Sequence, residues 1–303
     1  MSSISSVQDR SKRLALLRKI DWRVRHAADS VLTGEYRSSF RGKGMEFDQV
    51  VPYEYGDDVR DIDWNVTARL GQPFRKKFIE EREVTIVVVF QDSVSLQFSS
   101  TGQSKRQSLI ELAAMLMMMG AMNRDRVGYG YAGPNGTHLQ RPLRGRGKIM
   151  TAVSHLLATP EPTWEQNAPA QPPWQEILHA VPRHSILLWL GDFPENVPIP
   201  STWPLLARRY QMMGCRIEDP WERTLPELGE LCGYDPTTGE MAVVHPGDRK
   251  QRQAHAGWVE RRDAHFRSLF PDPRSRMTLS TSDDPLESLA AFLARRSFRR
   301  NRS

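Results

Sequence analysis

The chain has 303 residues, of which 39% are hydrophobic and 26% charged, and 42 Lys and Arg against 36 Asp and Glu leave a formal charge of +6. That length suits one large domain or two ordinary ones, and that balance excludes a disordered chain, which combines low apolar content with high net charge. It also excludes a spanning helix, because the longest apolar stretch, Leu112–Met122, falls far short of the ~20 residues such a helix needs.

The N-terminal MSSISSVQDRSKR has no apolar segment behind its charges, so a cytoplasmic protein is expected. Basic residues crowd both ends, with Arg10, Lys12, Arg13, Arg18 and Lys19 at one and Arg295, Arg296, Arg299, Arg300 and Arg302 at the other. The middle mixes both signs, which speaks against a phosphate-binding face. Cys215 and Cys232 are too few for a disulfide framework or a Cys-based zinc site and are expected to be buried thiols.

In chain order, Leu14, Leu17, Ile20, Val24, Ala27, Ala28 and Val31 recur at helical spacing, which predicts a helix over 10–32 ended by Thr33-Gly34. Residues 35–83 read as irregular and charged, with a Gly-rich turn at Arg41–Gly44 and an acidic block at Gly56–Asp63. Val84–Phe90 is a β-branched run expected to be a strand buried on both faces, and a helix from Ser104 to Met122 follows it. Arg126–Ala132 and Thr137–Leu143 flank the hairpin signal Pro134-Asn135-Gly136. A helix over Lys148–Leu157, a Pro-rich loop, a second buried strand over Ser185–Leu190 and a helix near Trp203–Met212 come next. The remaining expectations are a short strand at Cys215–Ile217, a charged helix over Gln251–Ser268, a strand at Met277–Ser280 and a last helix over Pro285–Arg295. Strands alternating with helices predict an α/β fold, an open and largely parallel sheet with helices on both faces.

Most catalytic motifs fail on their context. Gly128-Tyr129-Gly130-Tyr131-Ala132-Gly133 spells the dinucleotide fingerprint, but a hairpin turn stands where the helix should begin. Pro142 and Ile149 spoil the phosphate-loop likeness around Arg144–Lys148. Asp61, Asp63 and Asn65 have calcium-loop spacing, yet Val66 and Gln72 replace the required Gly and Glu. His255 and His265 read as surface residues of a charged helix, and no nucleophile elbow is present. One constellation remains. Gln91-Asp92-Ser93-Val94-Ser95 follows the first buried strand, and Asp192 follows the second. Together they either present oxygens to a hard cation at the sheet's carboxyl edge or merely cap a loop and begin a turn.

The run Tyr53-Glu54-Tyr55-Gly56-Asp57-Asp58-Val59-Arg60-Asp61-Ile62-Asp63-Trp64-Asn65-Val66-Thr67-Ala68-Arg69, with Phe47, Phe78, Glu81 and Asp219-Pro220-Trp221-Glu222, resembles the bacterial family of unknown function numbered fifty-eight. The likeness spans about Gly34 to Arg296 and implies a von Willebrand factor A-like domain whose partner is a MoxR-type AAA+ ATPase. It divides the chain into 1–82, an N-terminal helix and Gly-Asp-Asp segment packed on the main domain, then 83–297, the main domain, and 298–303, a basic tail. It also implies the place of a metal-ion-dependent adhesion site built from Asp-x-Ser-x-Ser, a Thr and a further Asp. Aligning Ser93 and Ser95 puts Gln91 at the first acidic position, displaces Asp92 by one and matches Asp192 to the last. No Thr is assigned. The missing charge implies a degenerate site with weak Mg²⁺ binding or none, and Gln91→Asp is expected to improve it.

The resulting expectation is a non-enzymatic interaction module, an adaptor or partner of a MoxR-type ATPase. Asp57, Asp58, Arg60, Asp61 and Asp63 are its candidate contacts, together with the edge near Ser93 and Asp192. The same carboxylates equally suit a structural network with Arg60, Arg69 and Arg75. The alternatives are a metal-dependent hydrolase using Asp92 and Asp192 and nucleic-acid binding through the terminal Arg clusters.

Overall fold

Leu17, Ile20 and Val24 lie on one helical face, and in the computed structural model of the chain all three are buried in a helix, α1 (14–26). The structure describes residues 14–26, 34, 36, 39–40, 46–79, 84–134, 136–163, 170–234 and 240–297. The Gly-rich turn at 41–44, the tail at 298–303 and most of the terminal basic residues lie outside the described residues. The chain divides into two compact units, Arg41–Val84 and the remainder, Met1–Phe40 with Thr85–Ser303.

The smaller unit pairs β1 (Glu46–Pro52) antiparallel with β2 (Phe74–Ile79) and carries α2 (Trp64–Leu70) between them. Gly71, at φ 72°, ends α2 in the left-handed conformation that suits glycine. The expectation of an irregular segment is therefore corrected: alternation too weak to read in EFDQVVP and FRKKFI still yields a strand pair. The grouping of residues 1–82 is corrected as well, because α1 belongs with the larger unit. There Arg23 donates to Asp284 at 2.5 Å and Arg146 to Asp21 at 2.6 Å.

In the larger unit the β-branched run forms β3 (Thr85–Gln91), followed by α3 (Lys105–Met122), β4 (Arg126–Gly133), β5 (Gly136–Leu143) and α4 (Arg146–Ala158). Then come α5 (Trp174–Ala180), β6 (Ile186–Gly191), α6 (Trp203–Arg209), β7 (Gln211–Glu218) and α7 (Pro220–Arg223). A small hairpin, β8 (Leu231–Tyr234) with β9 (Met241–Val244), precedes α8 (Arg249–Leu269), β10 (Arg276–Ser280) and α9 (Pro285–Ser297). The six-stranded sheet runs β10-β7-β6-β3-β4-β5, and every neighbouring pair is parallel except β4 with β5. This is a Rossmann-like open sheet. On one face Val87, Val89, Leu187 and Trp189 meet Trp174, Trp203 and Phe266 from α5, α6 and α8, and Phe270 just past the end of α8. The other face is covered by α3, which also touches α4 and α9.

α5, α7 and the β8–β9 hairpin are not among the expected elements, because each is too short for periodicity to speak. The helix expected near Trp203–Met212 stops short of Met212, whereas β7 already begins at Gln211. Cys215 is buried, but Cys232 is exposed on the small hairpin, correcting the expectation for that thiol. Among the described residues, no helix is long and apolar enough to cross a membrane.

Gly214 in β7 faces Phe270 so closely that a Cβ there would overlap the ring. We expect Gly214→Ala to lower the unfolding free energy by about 1–3 kcal/mol, the usual cost of overpacking a filled core. Urea denaturation measures it; an unchanged midpoint would show that Phe270 moves aside freely.

Candidate functional site

Four buried polar residues occupy equivalent places: Asp92, Asp192, Asp219 and Thr281 are each the first residue after a parallel strand, namely β3, β6, β7 and β10. Parallel strands bring their carboxyl ends to one edge, so these groups gather where the sequence reading placed its constellation.

Asp192 is the centre. Its Oδ2 accepts from Ser95 Oγ at 2.8 Å and from Lys105 Nζ at 3.2 Å, while its Oδ1 accepts from Arg262. Ser95 in turn meets Ser93 Oγ at 2.8 Å. Lys105 Nζ also lies 2.5 Å from Glu222 Oε1, and Arg262 lies 3.2 Å from Glu222 Oε2. Lys105, Asp192, Arg262 and Glu222 thus form a closed ring of alternating charge. Arg262 further stacks over Trp258 at 5.1 Å. Burial pushes the Asp192 carboxyl up, but the charges of Lys105 and Arg262 outweigh it and hold the group well below the usual carboxylate range.

A second ring adjoins it in sequence. Arg216 meets Glu218 at 3.3 Å and Asp263 at 2.6 Å, and Arg223 meets the same two carboxylates at 3.0 and 2.9 Å. Glu222 also closes the capping box of α7, its Oε2 accepting from Asp219 N at 3.0 Å. Asp219 accepts from Trp221 N at 3.0 Å, Ser100 N at 2.9 Å and Thr281 Oγ1 at 2.8 Å. The Asp-Pro-Trp-Glu motif therefore ties together the loops that follow β3, β7 and β10.

Asp92 points elsewhere. Arg106 Nε and NH2 hold its Oδ2 at 3.0 and 2.8 Å, and Tyr131 OH donates to it at 3.1 Å. Burial raises its pKa, and Arg106 offsets only part of that. Gln91 is committed too: Trp189 Nε1 donates to its Oε1 at 3.0 Å, and its Nε2 donates to Ala170 O at 3.0 Å. Strand alternation turns residue 91 toward the aromatic face with Val87 and Val89. That face lies away from the serines, so the geometry lends no support to the expectation that Gln91→Asp improves a metal site.

Of the implied metal ligands, then, Ser93, Ser95 and Asp192 come together, while Gln91 and Asp92 do not join them. The residues present do not fit a divalent ion. Lys105 already engages the oxygen of Asp192 that would bind it, and an ammonium about 4 Å from a divalent ion repels it by on the order of 8 kcal/mol at an effective dielectric of about 20. Lys105, Arg106, Glu222 and Arg262 were given no role by the sequence reading. A signal existed for most of them. Lys105 and Arg106 open a helix that is otherwise apolar, and Arg262 sits on the Trp258, Phe266, Leu269 stripe of a charged helix. His255 and His265 are half-buried, where burial lowers both pKa values, and are not the free surface groups expected.

In the smaller unit the acidic block is mostly used locally. Asp58 Oδ1 accepts from Arg60 N at 3.0 Å and starts the 3-10 turn Val59–Asp61. Asp63 Oδ1 accepts from Asn65 N at 3.0 Å and Val66 N at 3.2 Å and caps α2. Asp57 pairs with Arg75 Nε at 2.6 Å, and Asp63 lies 3.6 Å from Lys76. Among the described residues, Arg60, Asp61 and Arg69 make no ion pair, so only Arg75 of the three expected arginines joins a network. Tyr55, Val59, Trp64 and Leu70 are exposed.

The family model described as "Protein of unknown function DUF58" matches residues 49–265. Uncharacterized proteins of Mycobacterium bovis and Mycobacterium tuberculosis are each 27% identical over 292 residues, covering 95% of this chain and 91% of theirs. Among solved structures, a conserved hypothetical protein BatB from Bacteroides thetaiotaomicron aligns with 71% of this chain and 98% of its own at 10% identity and a TM-score of 0.38. A pilus adhesin, SpaC, from Lactobacillus rhamnosus GG aligns with 72% of this chain and 30% of its own at 10% identity and a TM-score of 0.39.

Removing one member of the ring leaves a buried charge without its partner. We expect Asp192→Asn to cost about 3 kcal/mol or more at neutral pH. The folded-state pKa of Asp192 is depressed, so its contribution is present above the unfolded value of about 4 and is lost as pH falls below it. The gap in melting temperature between variant and wild type should therefore be constant from pH 7 to pH 5 and narrow below about pH 4. A gap that widens in acid would contradict the ring.

Proposed function

The chain belongs to the DUF58 family of proteins of unknown function, and from that membership we propose that it is a non-enzymatic protein-interaction module of the cytoplasm, a partner of a MoxR-type AAA+ ATPase in the remodelling of other proteins. The observation that carries this reading lies in the unit Arg41–Val84. Among its residues of described burial none is buried, while Tyr55 is fully exposed and Trp64 is 68% exposed. A unit of this size lies close to the roughly 40 residues below which folds usually need external support, so it gains much from burying apolar surface. Exposed Trp and Tyr side chains are also the residue types that dominate binding energy when a partner desolvates them.

With Asp57, Asp58 and Asp63 tied to caps and Arg75, the docking face shifts from the acidic block toward Tyr55, Val59, Trp64 and Leu70, with Arg60 and Asp61 as rim charges. The edge near Ser93 and Asp192 is set aside as a contact, because Lys105 is wholly buried and Asp192 nearly so. The hydrolase alternative loses support on the same ground: Asp92 and Asp192 bind different cations and share no reacting site.

Copurification of the full chain with the MoxR-type ATPase of its own host tests the reading. We expect Tyr55→Ala and Trp64→Ala each to weaken binding about 10-fold or more, as truncating an interface anchor does, with melting temperatures within about 2 °C of wild type. Asp61→Lys should act chiefly on the association rate and its salt dependence. Folded variants that bind with undiminished affinity would remove this surface from the interface.

A further inference from the structure

We propose that the ammonium of Lys105 is the resident cation of the carboxyl-edge crevice, built into the chain where a divalent ion would otherwise be held. Lys105 is the first residue of α3, its side chain is entirely buried, and the capping box of Ser104 and Gln107 fixes the helix start that aims it inward. Two oxygens hold its Nζ, from Asp192 after β6 and Glu222 after β7, and Ser95 after β3 donates to the same Asp192 oxygen. That convergence is the donor pattern of a hard-cation site with a nitrogen at its centre.

Filling space does not account for a lysine at 0% exposure. Well-packed apolar residues usually serve stability as well as a buried ion pair or better, whereas an unpaired buried charge is strongly destabilising. Charge explains the choice. Asp192 and Glu222 carry two negative charges, Arg262 supplies one positive charge, and Lys105 supplies the other, so the ring is neutral as it stands. Adding a divalent ion would leave it at plus two, whereas the same ring without Lys105 is at minus one and attracts the ion. The edge is thus closed by a covalently attached cation that chelation cannot remove, and one substitution should convert it into a metal site.

The test uses the full chain with MnCl₂ as the probe, in wild type, Lys105→Ala and Lys105→Ser, following depletion of the free Mn²⁺ resonance and the melting temperature against EDTA. We expect wild type to deplete no Mn²⁺ through this site and to melt within about 1 °C of its EDTA value. The two variants should bind one Mn²⁺ per chain and gain about 3 °C or more from it, and Asp192→Asn added to Lys105→Ala should abolish the gain. A variant that folds only when Mn²⁺ is present supports the proposal equally. It is overturned if wild type binds Mn²⁺ saturably and loses it on Asp192→Asn. It is also overturned if neither variant takes up Mn²⁺, including the case in which both stay unfolded with the ion present.

Discussion

Three carboxylates buried at the ends of adjacent parallel strands set the terms for the larger unit. Asp92, Asp192 and Asp219 leave water on folding, and a buried carboxylate is tolerated only when cations or several donors replace the lost hydration. Each is satisfied differently. Asp92 takes the planar fork of Arg106, Asp192 takes two cations from two helices, and Asp219 takes backbone and hydroxyl donors and, among the described residues, no cation. The local order of the edge follows from these demands. Lys105 and Arg106 must both lie in the first turn of α3, and α8 must present Arg262 inward although most of its surface is charged. The four-residue α7 exists where Asp219 and Glu222 cap it reciprocally.

The arrangement also explains why a helix as apolar as α3 begins with two fully engaged cations. An apolar helix between layers has no stripe to fix its rotation or axial position. Two consecutive charges with different carboxylate partners supply that register, because shifting the helix by one residue would leave Asp92 and Asp192 both mismatched. The second ring does similar work for α8 against β7, through Arg216, Glu218, Arg223 and Asp263.

Legibility from the sequence follows the physics of each feature. β3 and β6 are visible because strands covered on both faces read as unbroken apolar runs, and α3 because a buried helix of 18 residues leaves a long one. β1 and β2 are hidden because their alternation is diluted by charge, and α5, α7 and the β8–β9 hairpin because each spans too few residues for a period to emerge. At the site, Ser93, Ser95 and Asp192 are legible since they sit directly after buried strands. The apolar surroundings of Lys105 and Arg262 mark both as inward-facing, but their partners are not legible, since these lie 87 and 70 residues away and ion pairing leaves no local pattern. Asp92 shows the limit of motif spacing: one displaced residue turns the carboxylate to the other side of the strand, where Arg106 and Tyr131 claim it.

The two units resolve the burial of charge and of apolar surface in opposite ways. The larger one takes ionisable groups inside and neutralises them internally, so its carboxyl edge holds little unspent electrostatic capacity. The smaller one keeps its charges in caps and pairs at the surface and leaves Tyr55, Val59, Trp64 and Leu70 in water. Cap bonds of the kind Asp58 and Asp63 make contribute about 0.5–2 kcal/mol each, which is modest beside the conformational entropy of ordering some forty residues. Burying Tyr55 and Trp64 against a partner would add apolar stabilisation that these bonds do not supply. Binding through this surface would then carry an ordering cost, so measured affinity understates the contact energy. Substitutions that stiffen the unit without touching the aromatic face should raise affinity for the same reason.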